Sequence, residues 1–137
     1  MTATAAADVR TVADRFLGYL ETARAPEGLF APDVFVDFSM PTWRLQAEGR
    51  DAALELRRRG HPWPGRVPRY RLDPTPAGFV LEAEETWDAD GRRWYCRELF
   101  RADVGVEGIT ELAVYCTGDW DAARVAEHAA AVALIRP

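Results

Sequence analysis

Two glutamates, Glu85 and Glu98, stand in stretches that alternate apolar and polar residues. Successive side chains of a strand point to opposite faces. In RRWYCRELFR, residues 92–101, one face carries Trp94, Cys96, Glu98 and Phe100, and the other carries Tyr95, Arg97, Leu99 and Arg101. The first face reads as buried, so Glu98 is a carboxylate among apolar neighbours. Phe79, Leu81, Ala83, Glu85 and Trp87 repeat the pattern one strand earlier. An unpaired charge in an apolar interior is costly, so such a group finds a partner or stays protonated. Two nearby carboxylates tend to share one proton, which raises one pKa. A general acid or base working at neutral pH needs that state. The structural alternative is that each Glu pairs with an Arg or reaches solvent at a sheet edge.

Register places the two acids together. A turn centred near Asp90 and Gly91 sets Glu85 opposite Cys96, with Glu98 diagonal to Glu85. A turn centred near Val106 sets Cys96 opposite Cys116. Leu112, Val114 and Cys116 share the inward face of the last strand. The two cysteines are expected to be free thiols acting as small buried hydrophobes. No CxxC or HxxxH spacing supports a metal site, so no metal and no cofactor are expected.

Two further groups are candidates for auxiliary roles. His61, in GHPWPGR, follows a helix and is expected at a cavity mouth. Tyr70 shares a face with Leu72 and is expected to offer its hydroxyl inside. Trp43, Trp63, Trp87 and Trp94 are large rings suited to a flat organic ligand, and are expected to line or cover a pocket. Ordinary core filling competes for some of them.

The elements that must position these groups follow from periodicity. Ala5 to Thr22 reads as an amphipathic helix, with Val9, Val12, Phe16, Leu17 and Leu20 at helical spacing. A strand is expected near Val34 to Phe38, then a loop, PTWRLQAEG, then a second helix over Arg50 to Arg59. Four strands follow over Arg69 to Leu72, Phe79 to Trp87, Arg93 to Asp103 and Ile109 to Thr117. Their short links predict antiparallel hairpins. Trp120 to Ile135 reads as a final helix, capped by Asp119 or Thr117. Helix, strand, helix, meander and helix make an α+β domain spanning residues 1–137.

Composition narrows the function. The net charge is −5, and all 17 basic residues are Arg. They interleave with Asp and Glu, so no basic face for nucleic acid emerges. The absence of Lys removes lysine Schiff-base chemistry. No apolar run approaches the roughly 20 residues that span a bilayer. The start lacks a basic region followed by an apolar stretch, so no signal peptide and no membrane partner are expected and the cytoplasm is the default.

Three segments in order carry a family resemblance. They are GLFAPDVFVDF after the first helix, GRDAALEL opening the second, and RELFRADVGVEGITELAVY as the last hairpin. The chain resembles the nuclear transport factor 2-like superfamily over nearly its whole length, in particular its SnoaL-like polyketide cyclase and ketosteroid isomerase branches. The resemblance implies a cone: a curved antiparallel sheet wrapped around helices, an apolar pocket, and a homodimer through the outer sheet face. It implies that Glu98 stands where these isomerases carry a pocket acid. Their base position falls on Phe38 here and their phenol position on Phe16, so that catalytic set is incomplete and both rings are read as pocket wall.

The first function expected is therefore an enzyme of cofactor-free acid–base chemistry: cyclisation, dehydration, isomerisation or epoxide opening. Its substrate would be a small apolar, polyketide-like molecule. Glu98 would be the main acid, Glu85 its charge partner, and His61 and Tyr70 auxiliaries. Phe16, Phe38, Cys96, Phe100, Leu112, Val114 and Cys116 would join the tryptophans in the wall. The alternatives are a non-catalytic ligand binder and a dimeric protein-interaction module of the same fold.

Overall fold

The computed structural model describes residues 2–137, with side chains from Val9 onward. Helix α1 (Thr2–Thr22) buries Val12, Ala13, Phe16, Tyr19 and Leu20, one face of a 3.6-residue period. The Phe16 ring meets Phe100 at 4.9 Å and Phe79 at 6.2 Å between centroids. This helix thus fills the concave side of the sheet.

Strands β1 (Phe30–Met40) and β2 (Trp43–Glu48) form a hairpin before helix α2 (Arg50–Gly60). Strands β3 (Arg66–Pro74), β4 (Gly78–Ala89), β5 (Arg92–Gly105) and β6 (Gly108–Cys116) make the expected antiparallel meander. A two-residue strand, β7 (Trp120–Asp121), pairs with β5 and leads into helix α3 (Ala122–Ala131). The sheet order is β2-β1-β6-β5-β4-β3, with β7 off the edge of that path. The sheet is curved and open, and the architecture is the expected α+β cone. Among the described residues, no helix is long and apolar enough to cross a membrane.

Several sequence expectations need correction. PTWRLQAEG is not a loop, because residues 43–48 form edge strand β2. Its side chains stay largely exposed, so no buried face announced it. The sheet is mixed rather than wholly antiparallel, because β1 lies parallel to β6. The last helix ends at Ala131, and Asp121 caps it rather than Asp119 or Thr117, accepting the Arg124 N–H at 2.9 Å.

The β4–β5 register is as expected, and its cause is local. Asp90 (φ 54) and Gly91 (φ 70) form a two-residue turn with both central residues left-handed. Such a turn matches strand twist and locks the pairing. Glu85 therefore faces Cys96, and Ala83 faces Glu98. The β5–β6 register is not as expected. The turn centres between Val106 and Glu107, and an irregularity at Asp103 and Val104 shifts the pairing by one further residue, so Cys116 faces Glu98 rather than Cys96. The displacement is two residues, which preserves the face of every side chain. Leu81, Ala83, Phe100, Leu112 and Val114 are buried as expected, while Trp94 is half-buried.

Candidate acid–base site

Helix α2 is anchored by buried Ala53. Arg57 lies four residues later on the same face, while Arg58 and Arg59 turn out to Glu55. Arg57 therefore enters the interior. Its guanidinium grips Glu85 with Nη2 at 2.9 Å from Oε1 and Nη1 at 3.4 Å from Oε2. Glu85 is 2% exposed and Glu98 is 4% exposed. The Cys96 thiol donates to Glu98 Oε1 at 3.4 Å.

The two carboxyls divide their charge as a pair. Burial pushes Glu98 well above its ordinary value, and the nearby charge of Glu85 and a hydrogen bond to it push the same way. Burial also raises Glu85, but its hydrogen bond with Glu98 and the Arg57 guanidinium outweigh that and hold it below the usual range. The pair thus favours a proton on Glu98 and the negative charge on Glu85. Burial works against the Arg57 cation, yet Glu85 and Glu98 more than offset it and keep Arg57 charged.

His61 ends α2, its backbone N–H bonded to the Arg57 carbonyl at 2.7 Å. Its ring packs on Trp87 at 4.1 Å and near Trp63 at 6.0 Å between centroids. Burial first, and Arg57 second, lower its pKa to about 4. The imidazole is neutral at pH 7, and its Nε2 has no hydrogen-bond partner among the described residues.

A cavity of about 310 Å³ opens beside these groups. Phe38, Met40, Leu45 and Leu56 supply apolar wall, and Arg57, His61, Cys96, Glu98, Cys116 and Asp119 supply the polar end. The volume suits a small ligand. A second hollow of about 40 Å³ shares Phe38, Leu56 and Arg57 with it. Phe16, Phe100, Leu112 and Val114 line this inner hollow rather than the main cavity.

Some expected site residues lie elsewhere. Tyr70 pairs with Ala83, so its face is correct, but β3 is the sheet edge and Tyr70 is 46% exposed, away from the cavity. Trp43 begins edge strand β2 and is 65% exposed. Trp87 and Trp94 oppose each other near the closed end of the β4–β5 hairpin, beyond the cavity. Trp63 and Trp87 line a separate cleft, and the Trp94 indole bonds to the Ala89 carbonyl at 3.2 Å. Sequence reasoning missed Arg57 and Asp119. The signal for Arg57 was available: it follows Ala53 by one helical turn. Asp119 lines the cavity, and burial, then the charge of Glu85, raise its pKa.

Both cysteines are free thiols. The ligand atoms of Glu85, Cys96 and Glu98 lie within 4.8 Å of one another, as do those of Cys96, Cys116 and Asp119. A thiophilic ion entering the cavity would meet these groups. We expect thiol titration of freshly purified, denatured protein to report two free groups; zero under anaerobic handling would contradict this.

No family model matches the chain, and no match was found among curated proteins. Solved structures do resemble it. An NTF2-like protein from Anabaena variabilis superimposes with a TM-score of 0.68 at 17% identity, covering 82% of this chain and 89% of the other. An LEH-like epoxide hydrolase from M. tuberculosis gives 0.63 at 15% identity, covering 80% and 83%. A candidate isomerase from Rhodopseudomonas palustris gives 0.60 at 17% identity, covering 88% and 97%. Identities this low establish architecture rather than activity. With its curved open sheet, its α1-filled concave side and these neighbours, the chain has the fold of the nuclear transport factor 2-like superfamily.

Proposed function

We propose that the protein is an enzyme that transfers protons to and from a small, largely apolar, oxygen-bearing molecule without a cofactor. The observation that carries this reading is Glu98: a buried carboxyl, its pKa raised by burial and by Glu85, lining an apolar-walled cavity with the paired charges of Glu85 and Arg57 beside it. Before reaction, Arg57, Glu85 and protonated Glu98 sum to zero charge. Placing a second proton on Glu85 would oppose the Arg57 cation, so the pair is poised to give a proton rather than take one. A carbonyl, hydroxyl or epoxide oxygen of the ligand is the natural acceptor. Neutral His61 lines the same cavity, and we assign it the role of taking a proton from a ligand C–H, hydroxyl or attacking water.

This division of roles suits isomerisation, dehydration, cyclisation or epoxide opening. The epoxide hydrolase-like and isomerase-like structural neighbours add support at the level of architecture. A polyketide-like substrate fits the apolar wall, which the inner hollow extends. The test is conversion of a panel of small cyclic epoxides, enones and β-hydroxyketones by the protein alone, followed by mass spectrometry. We expect product from at least one class. Ligands that raise the melting temperature yet are never converted would overturn the enzyme reading in favour of a binding protein.

A further inference from the structure

The two cysteines stand far apart in the sequence and show no ligand spacing, so only the folded register can make them a pair. Cys116 faces Glu98 across β5 and β6, which sets Cys96 on the diagonal, two residues along the strand. Diagonal neighbours stand roughly 7–8 Å apart between Cα atoms. A disulfide spans about 4.4–6.8 Å. The strands thus hold the two backbones too far apart for an S–S bond, at a spacing that one ion bridges.

Asp119 completes the group. Gly118, with φ +82, turns the chain as β6 ends, and its N–H returns onto Cys116 Sγ at 3.3 Å. The next residue is Asp119. One of its carboxylate oxygens and the two sulfurs lie within 4.8 Å of one another. Among the described residues, no hydrogen bond or ion pair occupies that carboxylate. The arginines lining the cavity are committed elsewhere, Arg57 to Glu85 and Arg59 to Glu55. Cys96, Cys116 and Asp119 all line the cavity of about 310 Å³, which gives an ion its way in.

We propose that Cys96, Cys116 and Asp119 form a binding site for a thiophilic divalent cation of the zinc class. Thiolates select such an ion over magnesium or calcium, which take oxygen donors. Tetrahedral bonds of about 2.3 Å to sulfur and about 2.0–2.2 Å to oxygen put the donors roughly 3.6–3.8 Å apart. The three groups therefore close by roughly 1 Å at most, a movement within the reach of side-chain torsions. On binding, both thiol protons leave to solvent, the Asp119 carboxylate binds as it stands, and no electrons move. The Gly118 N–H then bonds a coordinated sulfur, an outer contact of the kind that tunes a metal site. Glu98 Oε1, 3.4 Å from Cys96 Sγ, loses the thiol's hydrogen bond, and the Glu98 proton turns to the sulfur instead. Three protein ligands leave a fourth position facing the cavity. A bound ion sits across the polar end, so proton transfer by Glu98 stops while it is there. The site goes beyond the enzyme reading and stands without it.

The probe is Cd²⁺, titrated without air into freshly reduced, folded protein at neutral pH. The readouts are sulfur-to-cadmium charge transfer in the ultraviolet and metal content after dialysis. We expect a single ion per chain, displaced by excess Zn²⁺ and not by Mg²⁺. Cys116→Ser should weaken binding by at least the roughly 10–100-fold that even an outer contact is worth, and should lose part of the band. Asp119 is exposed and Asp119→Asn leaves both sulfurs in place, so circular dichroism should show an intact fold. That variant should keep the band and lose about tenfold or more in affinity. No band at one equivalent, two ions per chain, unchanged affinity in Asp119→Asn, or equal affinity in the chain unfolded in urea would overturn the site. Conversion of a substrate by a protein that fails to bind Cd²⁺ would remove this site and leave the enzyme reading. Tight Cd²⁺ binding by a protein that converts nothing would do the reverse.

Discussion

Replacing Glu98 by Gln is expected to reduce conversion by about 10²–10⁴-fold, the usual worth of a general acid. The amide keeps the shape of the side chain and can still donate to Glu85, but it carries no transferable proton. Stability should move the other way, and its pH dependence separates the two effects. Glu98 has a folded pKa above the ordinary 4.5. Between that value and its raised folded value, the unfolded chain releases this proton and the native state keeps it. The native state therefore loses stability as pH rises, by about 1.4 kcal/mol per pH unit inside the window. Stability from this group is complete below about 4.5 and declines above it. Glu98→Gln removes the decline. Its melting temperature relative to wild type should therefore climb as pH goes from about 4.5 to 8. Thermal melts by circular dichroism read this without any substrate. A variant less stable than wild type at neutral pH would show that Glu98 is an ionised structural partner, and the acid role would fall.

Replacing Arg57 by Ala is expected to have the largest effect on stability. Arg57 and Glu85 are ion-paired at 2.9 Å, with side chains 14% and 3% exposed. Removing the cation leaves a buried carboxylate without its partner, at a cost of about 3–5 kcal/mol. For a domain of this size the melting temperature should drop by about 10–20 °C. The deficit should be widest near neutral pH. It should shrink as pH falls, because Glu85 can then protonate and the uncompensated charge disappears. The sign agrees with the wild type, in which Glu85 is held below its ordinary value and gives stability that is present above that value and lost on acidification. Arg57→Met combined with Glu85→Gln should recover most of the loss, because no charge remains buried. A double variant as unstable as Arg57→Ala alone would place the importance of Arg57 in packing rather than in charge.

The two acids were legible in the sequence for a local reason. Side-chain parity along β4 and β5 depends only on each strand, and the Asp90–Gly91 turn locks their pairing with two residues. Glu85 and Glu98 therefore had to share the buried face and lie diagonally near each other. The helical period of α1 likewise placed Phe16 in the core. What only the tertiary structure decided involves elements far apart in the chain. Arg57 meets Glu85 across 28 residues of sequence, and only the packing of α2 on the sheet selects it over Arg58 and Arg59. The parallel pairing of β1 with β6 requires strands from opposite ends of the chain, which hairpin logic cannot supply. The turn centred between Val106 and Glu107 and the irregularity at Asp103 and Val104 together moved Cys116 opposite Glu98, one residue each, without changing any face. Tyr70 shows the converse limit. Strand parity set its direction, but the sheet order put β3 at the edge, so a residue on the inward face still met solvent. Periodicity fixes which way a side chain points; what it meets there depends on neighbours that only the closed fold brings into contact.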